Sequence, residues 1–195
     1  MTAPGARERV RFGPGAIATP ANLVTTARLV LAVPTLILIR EEGSSWLTVS
    51  LWFVLTSTDR LDGWLARRDG ATRSGAFLDP LADKFLVLGG FFALGLTGDF
   101  SWAAVTIVTV REVMISVYRS FSARRGISVP ARPLGKWKAF LQFLAVGVVL
   151  FPPAHEWATF HDVVLWSAVG LSVISALDIL VASHRQHRRK EDHAV

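Results

Sequence analysis

Four aspartates fall where a lipid bilayer tolerates charge least. Asp59, Asp62, Asp79 and Asp83 lie within two long, mostly apolar stretches, at spacings of three and four residues. On a helix, residues three or four apart share one face. Mid-helix insertion of an aspartate costs about 2.5–3.5 kcal/mol, so four left unpaired at that depth would cost on the order of 10 kcal/mol. A cavity, a cation or both must compensate. If the two acidic faces met, mutual repulsion would protonate some carboxylates unless divalent cations sat between them. The chain has no cysteine, and its five histidines lie elsewhere in the sequence. An oxygen-only donor set suits Mg²⁺ or Mn²⁺, and two such ions would clamp a phosphoryl group in transfer.

The neighbours of the acids sharpen that chemistry. Gly63 and Gly75 remove side chains beside the carboxylates, so a phosphate can approach closely. Ala66 is small one turn beyond Asp62, and Arg67 offers a planar fork to a phosphate or a nucleobase. Taken singly, the small residues would read as helix packing and Arg67 as an interface charge. Taken with four aspartates, they read as a site for a diphosphate ester.

The elements that must hold this site are membrane helices. Of 195 residues, 51% are hydrophobic and 18% charged, and the mean hydropathy is +0.41. A soluble domain would carry about a quarter charged residues. The absence of cysteine excludes a disulfide framework, thiolate catalysis and cysteine-held metal. A bilayer core needs roughly 20 apolar residues per helix. Six stretches qualify: 22–40, 45–67, 76–97, 101–123, 135–152 and 162–183. The breaks between them carry charge or turn residues, as at Gly98-Asp99 and Pro152-Pro153. No segment reads as a cleavable signal peptide. An N-terminal segment (1–20), a membrane domain (21–184) and a basic tail (185–195) follow.

Loop charge orients the bundle. Most of the 21 basic residues fall at one end, in 7–11, 67–73, 119–138 and 185–190; the other end holds Arg40 with Glu41, Glu42, Asp99, Glu156 and Asp162. Basic loops stay cytoplasmic. The sequence therefore predicts an all-α integral membrane protein with six transmembrane helices and both termini cytoplasmic. The net charge of +6 reads as loops facing anionic membrane lipid, not as a nucleic-acid surface. Trp46, Trp102 and Trp157 fall at the outer ends, Trp64 and Trp137 at the inner ends, as interfacial belts do.

The run Asp59-Arg-Leu-Asp62-Gly63-Trp-Leu-Ala66-Arg67, then Gly75-Ala-Phe-Leu-Asp79-Pro-Leu-Ala-Asp83, resembles the signature of the CDP-alcohol phosphotransferases at all eight fixed positions. The spacer Arg68–Ser74 is one residue shorter than usual. The resemblance implies transfer of a CMP-activated phosphatidyl group to an alcohol, with the active site at the cytoplasmic face, expected in a bacterial inner membrane. It implies that Asp59, Asp62 and Asp79 bind metal. Asp83 would join them and also serve as the base that deprotonates the acceptor. Gly63, Ala66, Arg67, Thr72 and Gly75 would cradle CDP-diacylglycerol, and Asn22 and Thr25 resemble the first-helix segment that contacts the nucleotide. A homodimer is expected on the same ground.

Asp79-Pro-Leu-Ala-Asp83-Lys84 and Arg111-Glu112-Val-Met-Ile-Ser resemble most the members whose acceptor is glycerol 3-phosphate. A phosphorylated acceptor needs cations at the cytoplasmic mouth, and Arg111, Arg119, Lys136 and Lys138 are the candidates. Arg111 has an ordinary alternative, an ion pair with Glu112 or a metal-site carboxylate. Arg119, Lys136 and Lys138 would otherwise be inner-leaflet charges. Phosphatidylglycerol as acceptor would make a cardiolipin synthase, and inositol phosphate a phosphatidylinositol-phosphate synthase. A divalent-cation transporter also needs intramembrane carboxylates, but such sites sit near the midplane between repeats. This chain shows no repeat, and its acids cluster toward the inner end.

Overall fold

The computed structural model describes residues 19–69, 73–124 and 132–192, with the side chains of 21, 59–69, 73–80, 124 and 184–192 outside that description. Among the described residues the chain is entirely helical: α1 (Pro20–Glu42), α2 (Trp46–Asp69), α3 (Arg73–Thr97), α4 (Trp102–Arg124), α5 (Pro133–Leu150) and α6 (Ala158–Asp192), with one 3₁₀ turn at Pro152–Ala154.

Local chemistry sets the boundaries. Thr19 holds extended backbone angles and its hydroxyl accepts from the Asn22 N–H at 3.2 Å, with Pro20 opening the helix behind it. Gly43, at φ +61, ends α1 by donating its N–H to the Ile39 carbonyl, and Gly98, at φ +91, follows the end of α3. Ser45 and Thr48 cap α2 reciprocally, each backbone N–H donating to the other's hydroxyl at 3.1 Å. Pro133 opens α5, while Pro152-Pro153 stops it. The last helix runs beyond 183, through the basic segment to Asp192, because no Gly or Pro falls between 183 and 192.

The six helices match the six predicted stretches. Three of them, Asn22–Glu42, Pro133–Leu150 and Ala158–Ser183, are long and apolar enough to cross a membrane among the described residues. In α4 the charges at Arg111 and Glu112 interrupt the apolar run. Helix α1 packs on α2 and α3, α5 on α6, and α4 on α6 and α3. Trp52 anchors the middle. It is fully buried, its indole N–H donates to the Phe143 carbonyl at 3.2 Å, and its ring stacks on that of Phe143.

Polarity runs inside out. Val30, Val117 and Leu177 face outward, whereas Arg28, Arg111, Glu112, Lys138 and Gln142 are buried. Water would penalise that outer surface and lipid does not. The architecture is that of an integral membrane protein with a charged interior.

Candidate active site

The acid motif occupies the end of α2 and the start of α3, joined by residues 70–72. At 1.5 Å per residue, positions 62 and 79 lie about 10 Å from that junction, and 59 and 83 about 15 Å. The backbone thus sets the four positions at two matching depths on consecutive helices, at the bundle end where the basic loops lie. The side chains of Asp59, Asp62 and Asp79, and those of Ala66 and Arg67, lie outside the described residues, as does all of Thr72. Gly63 and Gly75 fall on α2 and α3. Among the described residues no three His, Cys, Asp or Glu gather round one point. The motif's donor set is four carboxylates, the hard-oxygen chemistry that Mg²⁺ or Mn²⁺ takes.

Asn22 and Thr25 are buried on α1, and Arg28 continues their line one turn on. The Arg28 Nε–H donates to Thr58 Oγ1 at 3.3 Å, and the Thr58 hydroxyl donates to the Leu55 carbonyl at 2.7 Å. Thr58 immediately precedes Asp59, so Arg28 ties α1 to the helix turn that opens the acid motif. Sequence reasoning passed over Arg28. The signal was the polar spacing 22, 25, 28 on an otherwise apolar helix.

Beside the motif opens a cavity of about 380 Å³ between α3, α4, α5 and α6. Its wall carries Lys84, Arg111, Arg119, Arg132, Lys136 and Lys138 against the carboxylates of Asp83 and Glu112. All four cations predicted for the acceptor's phosphate therefore share one cavity with Asp83, the predicted base. Lys84 and Arg132 join them without having been singled out. Arg132 is held by Asp178 of α6, Nε to Oδ2 at 2.6 Å.

A buried polar network backs the cavity. The Arg111 guanidinium donates to the Ser172 carbonyl at 3.0 Å, to Glu112 Oε1 at 2.9 Å and to Ser175 Oγ at 2.5 Å. The ion pair with Glu112, the ordinary alternative, is the arrangement found. Lys138 Nζ also donates to Glu112 Oε1, and Gln142 Nε2 reaches the same oxygen at 3.4 Å. Lys84 donates to Ser116 Oγ, which donates to the Glu112 carbonyl at 2.5 Å. The network joins α3, α4, α5 and α6. In an apolar bundle each such bond is strengthened by the low dielectric, and each loss is correspondingly costly.

Fold and site together define a membrane enzyme class: a helical bundle whose acid motif adjoins a cationic pocket. The profile of the CDP-alcohol phosphatidyltransferase family matches residues 18–174, and the chain belongs to that family. Members of the family generally depend on divalent metal. The chain is 37% identical over 183 residues to the "Probable phosphatidylglycerophosphate synthase" of Mycobacterium tuberculosis (strain CDC 1551 / Oshkosh), covering 89% of this chain and 85% of that protein. It is 34% identical over 173 residues to the CDP-diacylglycerol–glycerol-3-phosphate 3-phosphatidyltransferase of Pseudomonas fluorescens (83% and 88% covered). The protein of the same name from Haemophilus influenzae is 32% identical over 144 residues (71% and 78% covered).

Proposed function

We propose that this enzyme transfers the phosphatidyl group of CDP-diacylglycerol to glycerol 3-phosphate, giving phosphatidylglycerophosphate and CMP. The observation that carries the reading is the cavity that joins Asp83 to six cations, a setting for a phosphorylated alcohol. The names of the relatives, which specify a glycerol-3-phosphate acceptor, support the same choice.

In this reading the acceptor's phosphate lies among Arg119, Arg132, Lys136 and Lys138, which leaves its free hydroxyl toward Asp83. Asp83 takes the hydroxyl proton as the oxygen attacks the phosphatidyl phosphorus. The bond from that phosphorus to the bridging oxygen breaks, and CMP leaves with the electron pair. Positioning and charge stabilisation supply most of such a rate enhancement. Asp59, Asp62, Asp79 and Asp83 would hold two divalent ions, which neutralise the diphosphate when bound. Gly63, Ala66, Arg67, Thr72 and Gly75, with Asn22 and Thr25, would hold the CDP moiety. All six helices would span the membrane, with both termini and the active site on the cytoplasmic side, in a homodimer of the bacterial inner membrane. The distribution of basic loops supports that orientation.

Inositol phosphate would suit the same cationic cavity, so the decisive assay offers acceptors separately. Purified protein is incubated with CDP-diacylglycerol and Mg²⁺ or Mn²⁺, with glycerol 3-phosphate, phosphatidylglycerol or inositol phosphate. Phosphatidylglycerophosphate as the lipid product identified by mass is expected. Product only with one of the other two acceptors overturns the reading.

A further inference from the structure

The cluster Arg111, Glu112 and Lys138 sets two cations against one carboxylate, and none of the three residues is more than 8% exposed. A charge buried without compensation is costly, and such a site draws in an opposite charge. Three donors converge on one atom, Glu112 Oε1: Arg111 at 2.9 Å, Gln142 at 3.4 Å, and the ammonium of Lys138. Arg111 is anchored through all three of its nitrogens, Nη1 to Glu112, Nε to the Ser172 carbonyl and Nη2 to Ser175. Lys138 differs. Its ammonium has three protons on a flexible four-carbon stem, and its side chain lines the cavity. Without Glu112, nothing in the cluster would fix that stem. Asp83, the other carboxylate on the cavity wall, already attracts Lys138, and an untethered Lys138 swings toward it.

We propose that Glu112 is the positioning residue of the acceptor site. Its carboxylate clamps Lys138 to the wall, so that the cluster presents one surplus positive charge at a fixed point, and that point receives the phosphate of the acceptor. Glu112 acts through Lys138 and touches no reacting atom. This inference rests on the reading of the cavity as the site of a phosphorylated acceptor.

The test is a double-mutant cycle on the purified enzyme, with glycerol 3-phosphate and CDP-diacylglycerol varied in turn. E112Q is expected to raise the KM for glycerol 3-phosphate about tenfold, the worth of one well-placed ion pair, while the KM for CDP-diacylglycerol stays within about twofold. K138M should behave alike, and E112Q/K138M should be no worse than K138M, because the two residues act as a unit. E112D keeps the charge but draws the carboxylate back by one methylene. It should raise the acceptor KM about threefold and serves if E112Q fails to fold. The inference is overturned if the effects of E112Q and K138M multiply, if both substrates' KM values rise together, or if E112D changes nothing. A fall in acceptor KM also overturns it, for it would mean that Glu112 competes with phosphate for Lys138. Wild-type enzyme run alongside separates the two claims: failure to use glycerol 3-phosphate removes the acceptor reading itself.

Discussion

Arg132, the residue before α5, and Asp178, on α6, form an ion pair with Nε 2.6 Å from Oδ2 at the mouth of the cationic cavity. The pair is partly exposed, 40% and 25% for the two side chains, so its own stabilising effect is modest, about 0.2–1 kcal/mol. Its consequence is geometric: Asp178 aims Arg132 at the cavity. Asp178→Asn is expected to raise the KM for glycerol 3-phosphate about threefold, in line with that energy. The thermal midpoint in detergent should barely move. Steady-state kinetics with each substrate varied checks this, and an unchanged acceptor KM argues against a role for Arg132.

Asp62 sits on α2 at the depth matched by Asp79 on α3. Asp62→Asn keeps the shape of the side chain and removes its charge, so a site built to hold cations should lose them. CMP release from CDP-diacylglycerol is expected to fall by about a thousandfold or more, the scale of losing electrostatic stabilisation in a phosphoryl transfer. The variant should still extract with the membrane fraction. Near-normal turnover would count against a metal role.

Removal of divalent ions gives an independent check. Chelation by EDTA should abolish CMP release, and Mg²⁺ or Mn²⁺ should restore it, whereas Ca²⁺ should restore it poorly. Ca²⁺ takes longer bonds and a looser geometry than an octahedral phosphate clamp needs. Activity that survives chelation would remove the metal from the mechanism.

Gly89 and Gly90 are neighbours on α3 with different tolerances. A Cβ on Gly90 would lie 2.9 Å from Trp52 Cη2 and 3.0 Å from Cζ3, and Trp52 is fully buried and hydrogen-bonded. A Cβ on Gly89 would lie 2.4 Å from Leu36 Cδ1 and 3.3 Å from its Cγ, but that side chain is only partly buried and can rotate away. Gly90→Ala should therefore cost about 1–3 kcal/mol by overpacking. At about 2–4 °C per kcal/mol for a chain of this size, its melting midpoint should fall several degrees below that of Gly89→Ala. Equal midpoints would show that Trp52 can yield.

Much of the fold was legible along the chain. Hydrophobic runs and their breaks at Gly43, Gly98 and Pro152 depend on neighbouring residues, and the first five helices begin and end close to the expected limits, while α6 runs nine residues past 183. The acid motif was equally local, since each aspartate pair lies within one turn of one helix. Arg28 had a local signal in the spacing 22, 25, 28, but its partner Thr58 lies on another helix; Asp178, a lone acid in an apolar stretch, has no signature until Arg132 is placed beside it.

The sequence alone determined the class of protein, the four-carboxylate motif and the concentration of basic residues beside it. All three follow from residue types at short spacings. Only the tertiary structure decided which cations share a cavity with Asp83, that Arg111 is spent on Glu112 and the serines of α6, and that Lys138 of α5 meets Glu112 of α4. Those pairings depend on how each helix is rotated about its axis against its neighbours. That rotation is set by side-chain packing across the whole bundle, and no local spacing contains it.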